Sequence, residues 1–130
     1  MQKDELIALL RRLARAGLNR VPRKQREADA LLALSLVGLE PEGIFDETEI
    51  DTHLKTWLAP LAGEGGVDHV TWRRALVDRQ MLRRATDGAI YRLRRDGIAG
   101  KLSEDAAGVD ASAIFAAAAS VRPGAPPTRA

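Results

Sequence analysis

The stretch 67–93, VDHVTWRRALVDRQMLRRATDGAIYRL, changes its period once along its length, and that change decides the fold. Asp68 is placed to cap a helix, because its carboxylate can accept from the free N–H groups of the first turn. Trp72, Ala75, Leu76 and Val77 then make a narrow apolar face at helical spacing, with Arg73, Arg74 and Arg79 projecting elsewhere. After Met81 and Leu82 the helical period stops. Asp87-Gly88 is a tight-turn signal, since the favoured hairpin turns need positive φ. Ile90 alternating with Tyr91 suits a short strand with one buried face. Helix, tight joint and two-stranded hairpin together predict the last helix and wing of a winged helix-turn-helix.

Upstream, Leu6, Leu9, Leu10 and Leu13 line one side of a helix expected over Gln2–Ala16, which Gly17 stops. Pro22 excludes a continuous helix, so a second one runs from Arg23 or Lys24 to about Val37, burying Ala28, Leu31, Leu32, Ser35 and Leu36. Glu40-Pro41-Glu42-Gly43 reads as a turn and Ile44-Phe45 as a one-bridge strand beside the wing. Asp46 with Glu49 three residues on is a capping box, opening a helix to Leu58 that turns Ile50, Leu54, Trp57 and Leu58 inward. Residues 59–67, APLAGEGGV, read as a Gly-rich loop, longer than the joint usual between paired DNA-binding helices. Residues 94–108 read as irregular, with Gly97 and Gly100 as breakers. Asp110 caps a short helix, ASAIFAAAASV, whose Ile114, Phe115 and Ala118 dock on the body, and RPGAPPTRA is a tail disordered by composition. The expected organisation is an N-terminal helix (1–19), a winged-helix-like domain (20–95), a helical C-terminal extension (96–121) and the tail (122–130).

At 130 residues the chain can bury one modest core. It has no cysteine, which excludes disulfides, thiolate metal sites and cysteine nucleophiles. No apolar run approaches a membrane span, and MQKDELIALLRR is a poor signal peptide, so the expected address is the cytoplasm. The net charge of +2 hides a lopsided layout: residues 1–26 carry +6, residues 27–66 carry −8, and residues 67–95 carry +5. Basic blocks of this kind point to an anionic partner, or to the acidic helix lying against the basic ones.

Three blocks resemble a bacterial domain-of-unknown-function family that is often fused C-terminally to ArsR-type helix-turn-helix repressors and also occurs alone. They are PRKQREADALL (22–32), DETEIDTHL (46–54) and DHVTWRRALVDRQMLRRATDGAIYRL (68–93), covering residues 20–93. Trp72 stands where that pattern usually has Leu, and Arg92 where it has a second aromatic after Tyr91. The resemblance implies a winged-helix-like fold and an association with transcription regulators. It implies no settled activity.

The candidate nucleic-acid-binding residues are His69, Arg73, Arg74, Arg79, Arg83, Arg84 and Arg92, with Arg94 and Arg95 beside them. A helix in the major groove and a wing along the backbone would use them on phosphates, with one or two reading guanine edges. Against this stands a solvated arginine-rich surface, with Arg73 or Arg74 pairing to acids of the 46–51 helix start. Arg20, Arg23, Lys24 and Arg26 form a second basic patch around Pro22. His53, four residues after Glu49, lacks a second ligand pair, and no metal or cofactor is expected. The acids at 46–51 suit a helix N-terminus without catalysis, Trp57 and Trp72 fit a core better than a stacking platform, and Gly63–Gly66 is no phosphate loop. The expectation is a non-enzymatic DNA-binding transcriptional regulator, a homodimer by analogy with regulators that pair through terminal helices. The alternative is an interaction or effector-sensing module acting with a separate DNA-binding protein.

Overall fold

A computed structural model of the chain describes residues 1–85 and 90–121. The first helix, α1 (Lys3–Ala14), is opened by a capping box between Gln2 and Glu5 and buries Leu6, Leu9 and Leu10. Gly17, at φ +80°, turns the chain away, as its position predicted. Helix α2 (Gln25–Ser35) is buried on nearly every side from Ala28 onward, so it is the central element of the core rather than an amphipathic surface helix.

A two-residue strand, β1 (Phe45–Asp46), leads straight into α3 (Glu47–Ala62). Asp46 and Glu49 form the expected capping box, with Glu49 N–H donating to Asp46 Oδ1 at 2.8 Å. The expected end at Leu58 is corrected: α3 runs on through Pro60 to Ala62. Proline removes one ladder hydrogen bond, but the extra turn buries Leu61 and offers its carbonyl to Leu18 N–H at 2.9 Å. The nine-residue loop expected from the sequence therefore shrinks to the stretch between Gly63 and Asp68.

Asp68 caps α4 (His69–Asp78) as expected, accepting from Thr71 N–H at 2.7 Å, and Trp72 and Leu76 face the core. The helix ends in a Schellman motif. Gln80 N–H donates to the Val77 carbonyl at 3.1 Å and Met81 N–H to the Leu76 carbonyl at 2.9 Å, while Gln80 takes the left-handed φ of +64°. Met81 and Leu76 are both fully buried, the apolar contact that accompanies this cap. This is the joint at which the sequence switches period.

Strands β2 (Leu82–Arg84) and β3 (Ile90–Leu93) pair antiparallel, with Leu82 opposite Leu93, Arg83 opposite Arg92 and Arg84 opposite Tyr91. The Asp87-Gly88 turn lies outside the described residues, as does the 122–130 tail. β1 adds to the other edge of β3, Phe45 opposite Tyr91, giving a three-stranded antiparallel sheet in the order β1-β3-β2. The expected Ile44-Phe45 strand is thus shifted by one residue. The architecture is mainly helical with one small sheet.

Residues 94–108 are not irregular throughout. A single helical turn, α5 (Arg95–Ile98), spans Gly97, and a 3-10 turn covers Ala106–Gly108. Gly97 is a close-packing glycine and not a breaker: a Cβ there would sit 1.8 Å from the Gln80 carbonyl oxygen. The last helix, α6 (Ala111–Val121), starts at Asp110, whose Oδ1 accepts from Ala113 N–H at 3.2 Å. It packs on α1 and α3, with Phe115 buried and Ile114 and Ala118 partly buried against the core.

Candidate nucleic-acid interface

Helix α4 sorts its residues by angle. With Trp72 and Leu76 inward, 100° per residue places His69 and Arg73 on one flank, Ala75 and Arg79 on the other, and Val70, Thr71, Arg74 and Asp78 outward. Val70, Thr71, Arg74 and Asp78 are accordingly exposed.

Arg73 is turned into the protein, its side chain 17% exposed. Its guanidinium is hydrogen-bonded to Asp51, lies 3.2 Å from Glu47 and stacks over the Tyr91 ring at 5.9 Å. Burial alone would lower its pKa, but the Asp51 hydrogen bond and the charges of Asp51 and Glu47 more than offset that and raise it. His69 joins the same cluster, Nε2 at 3.9 Å from Asp51. On the opposite flank, Arg79 Nε donates to Asp29 at 2.5 Å and Nη2 to the Gln25 carbonyl at 3.3 Å, which ties α4 to α2.

The hairpin arginines behave differently. Arg83 and Arg92 stand directly opposite one another on the exposed face of β2–β3. Among the described residues neither side chain makes a hydrogen bond or an ion pair. Like charges in a cross-strand pair are unfavourable, and among the described residues no carboxylate pairs with either side chain. With Ala85 and the exposed Ile90 they border a shallow recess of about 290 Å³. Arg84 is exposed at the other face, opposite Tyr91. Arg94 pairs with Gln80 and Asp96, and Arg95 with Glu42 at 2.6 Å.

The candidates expected from the sequence therefore divide. His69, Arg73 and Arg79 face internal acids, while Arg74, Arg83, Arg84 and Arg92 reach the surface. Pairing between Arg73 and the 46–51 helix start was legible as an alternative. The Arg79–Asp29 bond was not, because it joins residues 50 apart in the chain with no spacing rule between them. In the second basic patch, Arg26 is held by Glu5 at 2.6 Å, whereas Arg20, Arg23 and Lys24 are exposed.

His53 Nε2 lies 2.7 Å from the Ser35 carbonyl, a hydrogen bond between α3 and the end of α2. Among the described residues no group of three His, Asp or Glu side chains gathers as a metal site. None of the described helices is long and apolar enough to cross a membrane.

Residues 17–93, more than half of the chain, match the model of a family described as "Uncharacterized protein conserved in bacteria (DUF2087)". The chain belongs to that family. The match begins at Gly17, the turn after α1, and ends at Leu93, the last residue of β3, so its limits coincide with element boundaries. All of the family segment's helices and strands contribute to the described core, to which α1 and α6, outside the matched residues, also supply buried side chains. No curated protein and no solved structure matches the chain significantly.

Proposed function

We propose that this member of the DUF2087 family is a cytoplasmic bacterial regulator that binds duplex DNA, with α4 in the major groove and the β2–β3 hairpin on the phosphate backbone. The observation that carries the reading is the Arg83–Arg92 pair. Two cations held face to face on an exposed strand pair cost stability unless an anion lies between or beside them, and a DNA phosphate is such an anion. The order α2-β1-α3-α4-β2-β3, with β3 central in the sheet, supports a winged helix-turn-helix, and the shortened 63–68 joint suits it better than the loop expected from the sequence. Arg74 is the outward arginine of the groove helix. Association with ArsR-type repressors, and pairing of two copies through terminal helices, belong to the same proposal.

The test is fluorescence anisotropy of a mixed-sequence duplex with the purified protein across a salt series, beside an Arg83→Gln/Arg92→Gln variant. Salt-sensitive binding weakened by the double substitution is the expected result. A folded protein that fails to bind even at low salt would sink the DNA reading.

A second reading, an effector-sensing module, rests on a different feature. An apolar cleft of about 700 Å³ opens between the end of α2 and α5, lined by Leu36, Val37, Leu39, Leu93 and Ile98. Its size is that of small-molecule sites, and Leu93 connects it to the hairpin strand. Under this reading a Val37→Asp substitution abolishes binding of an apolar fluorescent probe; unchanged probe binding would remove the cleft from consideration.

A further inference from the structure

The segment between α1 and α2 is tied to α4 at both ends. Val67 N–H, next to the cap of α4, donates to the Leu18 carbonyl at 3.1 Å. Arg79, at the far end of α4, donates to the Gln25 carbonyl at 3.3 Å. Ten helical residues rise about 15 Å, and the seven residue steps from Leu18 to Gln25 reach up to about 25 Å. The segment therefore runs alongside α4 from its beginning to its end. It does so on the Ala75–Arg79 flank, whereas the hairpin lies on the Arg73 flank, where the guanidinium covers Tyr91.

The segment is basic on its free side. Val21 and Pro22 are partly buried and hold it down, while Arg20, Arg23 and Lys24 are exposed. None of these three side chains has a hydrogen bond or ion pair among the described residues. They border a concavity of about 530 Å³ whose one acid, Glu27, is already bonded to Arg12 at 2.7 Å.

We infer that Arg20, Arg23 and Lys24 form a second DNA-backbone contact, gripping the phosphate row on the side of the groove opposite the hairpin. This rests on the DNA-binding reading and extends it. A helix lying in the major groove, about 12 Å wide, has one strand's phosphates along each flank. The fold sets cations whose side chains lack partners among the described residues on both sides of α4: Arg83 and Arg92 on the hairpin beyond the Arg73 flank, on the sheet face away from Tyr91, and Arg20, Arg23 and Lys24 along the other flank. Contacts of this kind position the protein without reading sequence.

The experiment compares the full chain with an Arg20→Gln/Arg23→Gln/Lys24→Gln variant and a control of equal net charge, Lys3→Gln/Arg11→Gln/Lys55→Gln. Affinity for a mixed-sequence duplex is measured from about 50 to about 200 mM salt, where each lost phosphate contact lowers the slope of log affinity against log salt by about 0.9. The expected result is a slope smaller by about 2–3 and an affinity about tenfold weaker for the segment variant, with the control close to the parent. If the parent binds and the segment variant merely follows the control, the second contact is overturned while the DNA reading stands. If the folded parent does not bind, both fall.

Discussion

The indole N–H of Trp72 donates to the hydroxyl oxygen of Ser35 at 2.9 Å, joining α4 to α2 through a hydrogen bond buried in the core. Ser35, 1% exposed, donates its own O–H to the Leu32 carbonyl at 2.6 Å, so both polar atoms are satisfied. Trp57 packs on the same indole with ring centroids 5.4 Å apart. This pair fixes the rotation of α4 about its axis, and hence which arginines look outward. Ser35→Ala leaves the Trp72 N–H buried without an acceptor, which costs about 1–3 kcal/mol. Denaturant unfolding checks this. Loss of less than about 0.5 kcal/mol would mean that another acceptor or a water replaces the hydroxyl.

Arg73 and Arg74 are adjacent in sequence, but Arg73 is turned inward onto Asp51 and Arg74 is exposed. Arg73→Ala removes a half-buried ion pair with Asp51 and should destabilise the fold by about 1–2 kcal/mol, discounted for its partial exposure. Arg74→Ala should leave the melting temperature within a degree or two and weaken DNA binding. The two variants measured side by side for stability and affinity separate these effects. Equal melting temperatures for both would refute the division.

Replacing both Arg83 and Arg92 by Gln should raise stability slightly, by about 0.2–0.5 kcal/mol, because it relieves a cross-strand repulsion. The same change should weaken DNA binding. Stability gained where function is lost is the signature expected of a binding surface. A drop in stability would show that the pair is held by attractions within the fold and would remove the main support for the proposed function.

Glu5 has its pKa lowered from 4.5 to about 2, first by the Arg26 hydrogen bonds and then by the Gln2 backbone N–H. A carboxylate depressed on folding adds stability that is fully present above its unfolded pKa and is lost as pH falls through the folded one. Its contribution therefore disappears between about pH 4.5 and about pH 2. Glu5→Gln should flatten the stability profile over that window and leave the slope above pH 6 unchanged. Identical acid profiles for parent and variant would contradict the bond to Arg26.

Gly97→Ala drives a methyl group into the Gln80 carbonyl, 1.8 Å from an ideally built Cβ. The α5 turn must move away from the end of α4, breaking the Arg94 N–H bond to Met81 at 2.9 Å or straining it. The expected cost is about 1–3 kcal/mol. Thermal unfolding reads it directly, and a variant as stable as the parent would mean that α5 does not pack there in solution.

The sequence by itself determined the order and type of the elements. Apolar spacing, the caps at Asp46, Asp68 and Asp110, and the stop at Gly17 are local signals, written within a few residues of the structure they cause. It also identified the family, because that pattern lies in blocks along the chain. Where local rules failed, a distant partner had won: Leu61 prolongs α3 past Pro60 because Leu18 docks on it, and Gly97 sits in a helical turn because Gln80 is pressed against it. The tertiary structure alone decided which arginines are free. Arg73, Arg79 and Arg83 look alike in sequence, but a guanidinium's availability depends on whether a carboxylate lies within about 3 Å. The partners of Arg79 and Arg73, at Asp29 and Asp51, are brought there by helix packing, which no spacing along the chain encodes.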